Sequence, residues 1–502
     1  MKQLTIIIYF LFTFSLFAQN KTPNNVLLIL EKTSNKAELQ SVLTHYEKTS
    51  DSLKFKATCF LIANMQAHNA YNYFWADSLE NKIEYDELAY PDFATSLNTF
   101  ENLKKQHGKV HPVPTVINDL ESVKADFLIA NIEQSFKVWK NTQYDFKTFC
   151  EYILPYRIDV EPLQMWRTKY EERFSKVIDN QANTNLNDKV KTLADDLTKW
   201  FVCTYKIEER KEPLPRLGAL QLLHRKKGGC EDEAAMTAFA LRSAGIAATT
   251  DIVPFWATSS GGHTLNTAFD AQNKPFHFDV LSMDSLKEFV REPAKVLRTT
   301  FSAQENTLAS RIPINEIPPY GMLRSQTYTD VTQEYWATQN VPCKIYAKSA
   351  YDKIIYASVL NGGKFRPAWW GKAIKDSVIF TNMCRGAVFL PQIYENEKLI
   401  PVGYPIVSGY TKMVELKPEL STRSVTLKEQ AKYLKFRQGK KYKLFYYDKG
   451  WKEIGEKTAE ETTTELLFEN VPKNALLILI PEYSEKKERP FVITDEGVRM
   501  WW

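Results

Sequence analysis

The chain is poor in the residues that build metal centres and redox frameworks. It holds six cysteines and seven histidines in 502 residues, and no two cysteines form a Cys-x-x-Cys pair. That argues against structural zinc, and no metal is indicated: Cys230, His263 and Asp279 could mimic three ligands, but a glycine-flanked thiol suits nucleophilic work better. A chain of this length buries enough apolar surface to do without disulfides. Cys59, Cys150, Cys203, Cys343 and Cys384 therefore read first as buried free thiols, which behave as small hydrophobes. Cys343 and Cys384 share one region and are the candidate pair should a bridge form. An excess of one charge is also missing. The net charge is +5, with Lys and Arg scattered among Asp and Glu, so nothing favours nucleic acid. No Gly-x-Gly-x-x-Gly or Gly-Lys-Ser/Thr loop occurs, so no phosphate cradle and no cofactor are implied.

Beyond its first residues the chain lacks an apolar run near the ~20 residues a membrane span requires, so no integral membrane span is expected. The beginning is different. Met1-Lys2 precedes an apolar stretch over residues 4–17, then Ala18-Gln19-Asn20. A basic start, a short apolar run and a small residue at its end describe a secretory signal peptide over 1–18. Leu16 is larger than the residue usual at its position before cleavage. The reading implies export, to the periplasm or outside the cell.

The length calls for several domains. From 26 to 135 apolar residues recur at three-to-four spacing, with Asn118 and Ser122 as helix starts, so 19–187 reads as mainly helical. Pro155 and Pro162 mark a loop that leads into a helix. Residues 180–187 are a polar linker, and another helix follows from 188. Past about 313 the texture turns to period-two runs such as 344–347, 378–381, 387–390, 442–447 and 475–480, punctuated by turns. These read as antiparallel strands in two β-sandwich units, 325–415 and 420–502. The fold class is α+β and multi-domain, with a mixed core at 188–312.

The chemistry concentrates in that core. Gly228-Gly229 precede Cys230, and Glu231 opens a run of strong helix formers with Ala234, Ala238 and Leu241 on one stripe, stopped at Gly245. Cys230 thus starts a helix, where unpartnered N–H groups and the positive dipole end favour a thiolate. Glu231, Asp232 and Glu233 suit the dipole but repel a thiolate unless they point away. Gly261-Gly-His-Thr-Leu-Asn then faces Pro275-Phe-His-Phe-Asp-Val across a turn. A turn centred on Ala271 sets His263 opposite Asp279, which can accept a hydrogen bond from the imidazole and fix its orientation. His277 lies on the Asp279 strand, next to Leu265 in that register, and reads as structural. His45, His68, His107, His111 and His224 have no comparable partner.

Gly-Gly-Cys-Glu-Asp-Glu-Ala, Gly-His-Thr-Leu-Asn and Phe-Asp-Val, in that order and spacing, resemble the Cys, His and Asp blocks of the transglutaminase-like superfamily, whose fold is related to papain. More loosely, the stretch 150–166, Asp330-Val-Thr-Gln-Glu-Tyr and Trp501-Trp502 resemble exported multi-domain proteins of Bacteroidetes type. The resemblance implies thiol chemistry on an amide in a peptide, protein or other substrate: Cys230 as nucleophile, His263 as base and then acid, Asp279 as its orienting partner. Trp200 and Gln221 are candidates for an oxyanion donor beside the Cys230 amide. Leu265 departs from the aromatic residue that members often carry two positions after the His. A competing reading keeps the core as an inactive scaffold, with the sandwiches binding glycan or protein through aromatics such as Trp369, Trp370, Trp451, Trp501 and Trp502.

Overall fold

The computed structural model describes residues 21–49, 51–179, 185–204, 216–280, 289, 291–430, 434–484 and 488–501. The leader at 1–18 and residues 180–184 of the polar linker lie outside this set. Among the described residues no helix is long and apolar enough to cross a membrane.

The N-terminal helices start where short polar side chains can cap them. Asp51, Asp92 and Asp145 each accept a hydrogen bond from the backbone N–H three residues on, which satisfies a donor the helix leaves open. Asn118 caps a single turn, Asp119–Ser122. Ser122 starts nothing: the longer helix Ala125–Trp139 begins after it, and Glu38 from a neighbouring helix accepts from the Ala125 N–H at 2.8 Å. The region is also less helical than its pattern suggests. Asn69–Ala76, Lys82–Ile83 and His111–Asn118 form a three-stranded antiparallel sheet. Pro112 and Pro114 forbid a helix interior, and the aromatic run Tyr71, Tyr73, Phe74 and Trp75 suits a pleated surface.

The central core is a five-stranded antiparallel sheet. Its order is Tyr328–Asp330, Leu297–Thr299, Ala248–Val253, His263–Phe269, Pro275–Phe278. The helix Cys230–Ser243 packs on the two middle strands and on the helix Arg167–Asp179. Met236, Ala238, Phe239, Ala240 and Leu241 are buried there with Tyr170, Phe174, Ala268 and Phe278. Small residues on this helix let it approach the sheet closely.

In the C-terminal half every strand pairing among the described residues is antiparallel. Thr338–Lys344 pairs with Ser377–Cys384 and faces a six-stranded sheet over a shared apolar core. Thr422–Lys428 with Glu465–Pro472 faces a five-stranded sheet over a second core. Cys343 and Cys384 do not bridge; both are buried free thiols. The ladder explains it. Cys343 pairs with Val378, and Cys384 pairs with Thr338. The two sulfurs therefore sit near opposite ends of one strand pair, roughly 20 Å apart at ~3.3 Å per residue, far beyond the ~7 Å Cα limit for a disulfide.

The aromatics proposed for sugar stacking are largely taken up in packing. Trp369 is buried with Lys295 Nζ 4.1 Å from its ring centre, and Trp451 packs on Phe365 and Tyr447 between the two sandwich units. Trp370 is half-buried beside Arg311. Trp502 and the Trp501 side chain lie outside the described set.

Candidate active site

Cys230 is the first residue of its helix, and Gly229 caps it. Asp232 turns back and accepts from the Gly229 N–H at 2.7 Å, which is the N3 half of a capping box. Gly228 leaves room for that turn, since a Cβ there would lie 2.4 Å from the Asp232 Cβ. Gly228 also pairs in parallel with Cys203, on the short strand Val202–Cys203. The loop before Cys230 is thus held from behind by a strand and from ahead by a cap.

His263 is the first residue of its strand and pairs with Val253. Gly262, just before it, sits against the backbone: a Cβ there would meet the Val253 carbonyl oxygen at 2.4 Å. His263 Nε2 is 2.6 Å from Asp279 Oδ2, and the indole of Trp256 stacks beside the imidazole at 6.3 Å. Cys230 is near enough to the same ring to raise its pKa together with Asp279. Burial pulls the imidazole pKa down. The hydrogen bonds and charges of Asp279 and Cys230 outweigh it and hold the group up at about 10. An imidazolium is therefore stable here at neutral pH, beside a sulfur that can take the opposite charge.

The hairpin register differs from the one expected. Asn266 pairs with Phe278 and Thr267 with His277, so the loop centres on Gln272, one residue later than Ala271. Asp270 causes this. Its side chain accepts from the N–H groups of Gln272 and Lys274, and Asn273 takes a left-handed conformation, φ 62°, which Asn tolerates well. The shift moves Asp279 diagonally from His263, by two residues. A two-residue slip keeps both side chains on one face, and they still meet.

The cleft over the sulfur has a volume of about 510 Å³. Apolar walls come from Ile158, Ile252, Pro254 and Met322, and charged ones from Asp159, Arg216 and Glu231. Arg216 reaches Asp159 at 3.0 Å. Glu231 Oε2 accepts from the Cys230 thiol at 3.5 Å, while Asp232 is turned to the Gly229 N–H. Neither Trp200 nor Gln221 lines this cleft. The Trp200 ring is held by Phe174, Arg173 and Lys226, and the Gln221 side-chain oxygen accepts from Gln164 at 2.8 Å.

Residues 172–280 match the family model of the transglutaminase-like superfamily. This central stretch is a transglutaminase-like core. The matched segment begins within the helix Arg167–Asp179, ahead of residue 188, and contains Cys230, His263 and Asp279. No curated protein matches the chain. Among solved structures, the crystal structure of red sea bream transglutaminase aligns with 87% of this chain and 78% of its own, at 7% identity and a TM-score of 0.25.

The other histidines of the transglutaminase-like core and its surroundings have structural partners. His277 bonds Thr267 at 2.9 Å and lies 3.2 Å from Glu334. It belongs to a buried network of Asp251, Arg298 and Tyr335 that ties the sheet to the turn Thr332–Tyr335. His68 stacks on Phe301 and bonds its carbonyl oxygen; burial, with Arg157 nearby, pulls its pKa down to about 4. His224 bonds Ser96, His111 approaches Glu80, and His45 packs against Tyr46. Sequence reasoning passed over Cys203 as a member of this neighbourhood. The Cys203 pKa is raised by burial, then by Glu233 and Cys230. Only the parallel pairing of 202–203 with 227–228 brings it there, and local sequence carries no signal for that.

Among the described residues no group of His, Cys, Asp and Glu is arranged to hold a metal ion.

Proposed function

We propose that this protein is an exported thiol-dependent amide hydrolase (peptidase, amidase or deamidase) or acyltransferase, with Cys230, His263 and Asp279 as its triad. The observation that carries the reading is the 2.6 Å contact of His263 with Asp279, at a ring whose pKa Cys230 also raises. The N-terminal pattern of residues 1–18 supports export, and the motif blocks support the Bacteroidetes-type group.

In this mechanism the Cys230 thiolate attacks the substrate carbonyl carbon while His263 holds the proton taken from sulfur. The Cys230 backbone N–H, at the open end of its helix, is placed to stabilise the oxyanion. Collapse breaks the C–N bond; His263 gives its proton to the leaving amine, and a thioester remains on Cys230. Water, or a second amine, then attacks the thioester with His263 as base, and the thiol returns. Asp279 stays ionised throughout and holds the ring. Free amines are dilute outside cells, which favours water as acceptor.

The test is labelling with an alkylating thiol probe, read by peptide mass spectrometry. Cys230 is expected to react far faster than Cys203 at pH 7, and His263→Ala to abolish the difference. Equal, slow labelling of both cysteines in both proteins would refute the triad.

A further inference from the structure

Glu233 is the fourth residue of the nucleophile helix and is 3% exposed. It does not line the cleft. The groups that act on its carboxyl come from two elements: the Cys203 thiol from the parallel strand, and Asp279 and His263 from the hairpin. On its own helix, Asp232 is turned to the Gly229 N–H and Glu231 to the Cys230 thiol. Its Oε1 is buried with no hydrogen-bond partner among the described residues. A buried carboxylate with an open oxygen beside another carboxylate is costly; the neutral acid is far less so.

We propose that Glu233 is a positioning residue of this site, a buried carboxylic acid whose proton sets how tightly His263 holds its own. The inference rests on the triad reading. While Glu233 is neutral, Asp279 is the imidazolium's one carboxylate partner. When Glu233 loses its proton, a second negative charge faces the ring, which then holds its proton more firmly and repels the neighbouring thiolate. No bond forms or breaks; the proton passes to solvent. Burial and the Asp279 charge push the Glu233 carboxyl up to about 7, with Cys203 and His263 opposing, so the change falls near neutrality.

The experiment is the rate of iodoacetamide alkylation at Cys230 in the full chain, followed from pH 5 to 10. Wild type is expected to show an inflection near pH 7 with a change in rate of about three- to tenfold, on top of the thiol's own ionisation. Glu233→Gln, which preserves shape, is expected to remove that inflection and keep the His263-dependent reactivity. Cys203→Ala removes a partner that favours the Glu233 anion, so the inflection should move to higher pH. An inflection unchanged in Glu233→Gln overturns the inference and leaves the triad standing. Slow, His263-independent alkylation in all three proteins overturns both. If Glu233→Gln does not fold, the Cys203→Ala curve decides: an inflection at the wild-type pH refutes the role.

Discussion

Asp119→Asn is expected to destabilise the protein more than any exposed ion-pair substitution, because of what it leaves behind. Arg157 and Asp119 are 1% and 0% exposed. The guanidinium makes a two-pronged contact, Nε to Oδ2 and Nη2 to Oδ1, both at 2.7 Å. Its Nη1 donates to the carbonyl oxygens of Asn69, Asp159 and Glu161, and Tyr156 donates to Asp119 at 2.9 Å. Removing the negative charge strands a buried cation, a loss of about 3–5 kcal/mol. For a cooperative unit of ordinary domain size that lowers Tm by about 10 °C. The cleft should feel it as well. Ile158 and Asp159 follow Arg157 into the cleft wall, and the Arg157 carbonyl oxygen accepts from Arg242 of the nucleophile helix. The assay is thermal unfolding by circular dichroism at two salt concentrations, since a fully buried pair is little screened. An apolar double replacement, Asp119→Leu with Arg157→Met, should recover much of the loss. A fall in Tm below about 2 °C, or one erased by salt, would refute the reasoning.

Asp279→Asn keeps the shape beside His263 but removes the charge, so burial is no longer outweighed; alkylation of Cys230 at pH 6 should slow by about 100-fold, and an unchanged rate would count against Asp279. His263 titrates at about 10 in the folded chain against 6.5 ordinarily. Its charged form therefore adds stability that is complete below pH 6.5 and is lost as pH rises through about 10. The Tm gap between wild type and His263→Ala should narrow over that window, and a gap constant from pH 6 to 10 would contradict the assignment. Gly262→Ala places a Cβ 2.4 Å from the Val253 carbonyl oxygen, which forces the start of the His263 strand to move. Proximity catalysis falls steeply with such a displacement, so alkylation at Cys230 should drop at least tenfold, and full reactivity would show that the strand start tolerates the shift.

How much of this was legible beforehand depended on whether the signal was local. The helix from Cys230 and the strand from His263 each carry their own propensities and punctuation, and both lie where the pattern puts them. The sheet at 69–118 was hidden because its strands are separated by a genuine helix, Phe93–His107. Two prolines on one strand were the available warning. The hairpin register required knowing that Asp270 would cap its own turn, a choice between two loops of similar sequence cost. Trp200 was a candidate by position along the chain, but the helix Leu186–Trp200 ends with its ring among Phe174, Arg173 and Lys226, and it is Val202, Cys203 and Thr204 that pair along the loop before Cys230.

The three consecutive acids after Cys230 show why composition near a nucleophile does not determine its electrostatics. All three favour the positive end of the helix equally as residue types. Helical geometry then points them in directions about 100° apart, and each meets a different partner. Asp232 is consumed by the Gly229 N–H, so its charge steadies the loop. Glu231 takes the thiol's proton side and opposes thiolate formation. Glu233 is driven into the interior, where neutrality is favoured up to about pH 7. With Asp232 tied into the cap and Glu233 uncharged, Glu231 is the acid of the three that contacts the sulfur, against an imidazolium that Asp279 holds in place. The balance therefore turns on Glu231, and Glu231→Gln is the substitution expected to raise, rather than lower, the thiolate fraction of Cys230 at pH 6, by several-fold in alkylation rate; a slower rate would show that Glu231 supports the thiolate through its contact instead of repelling it.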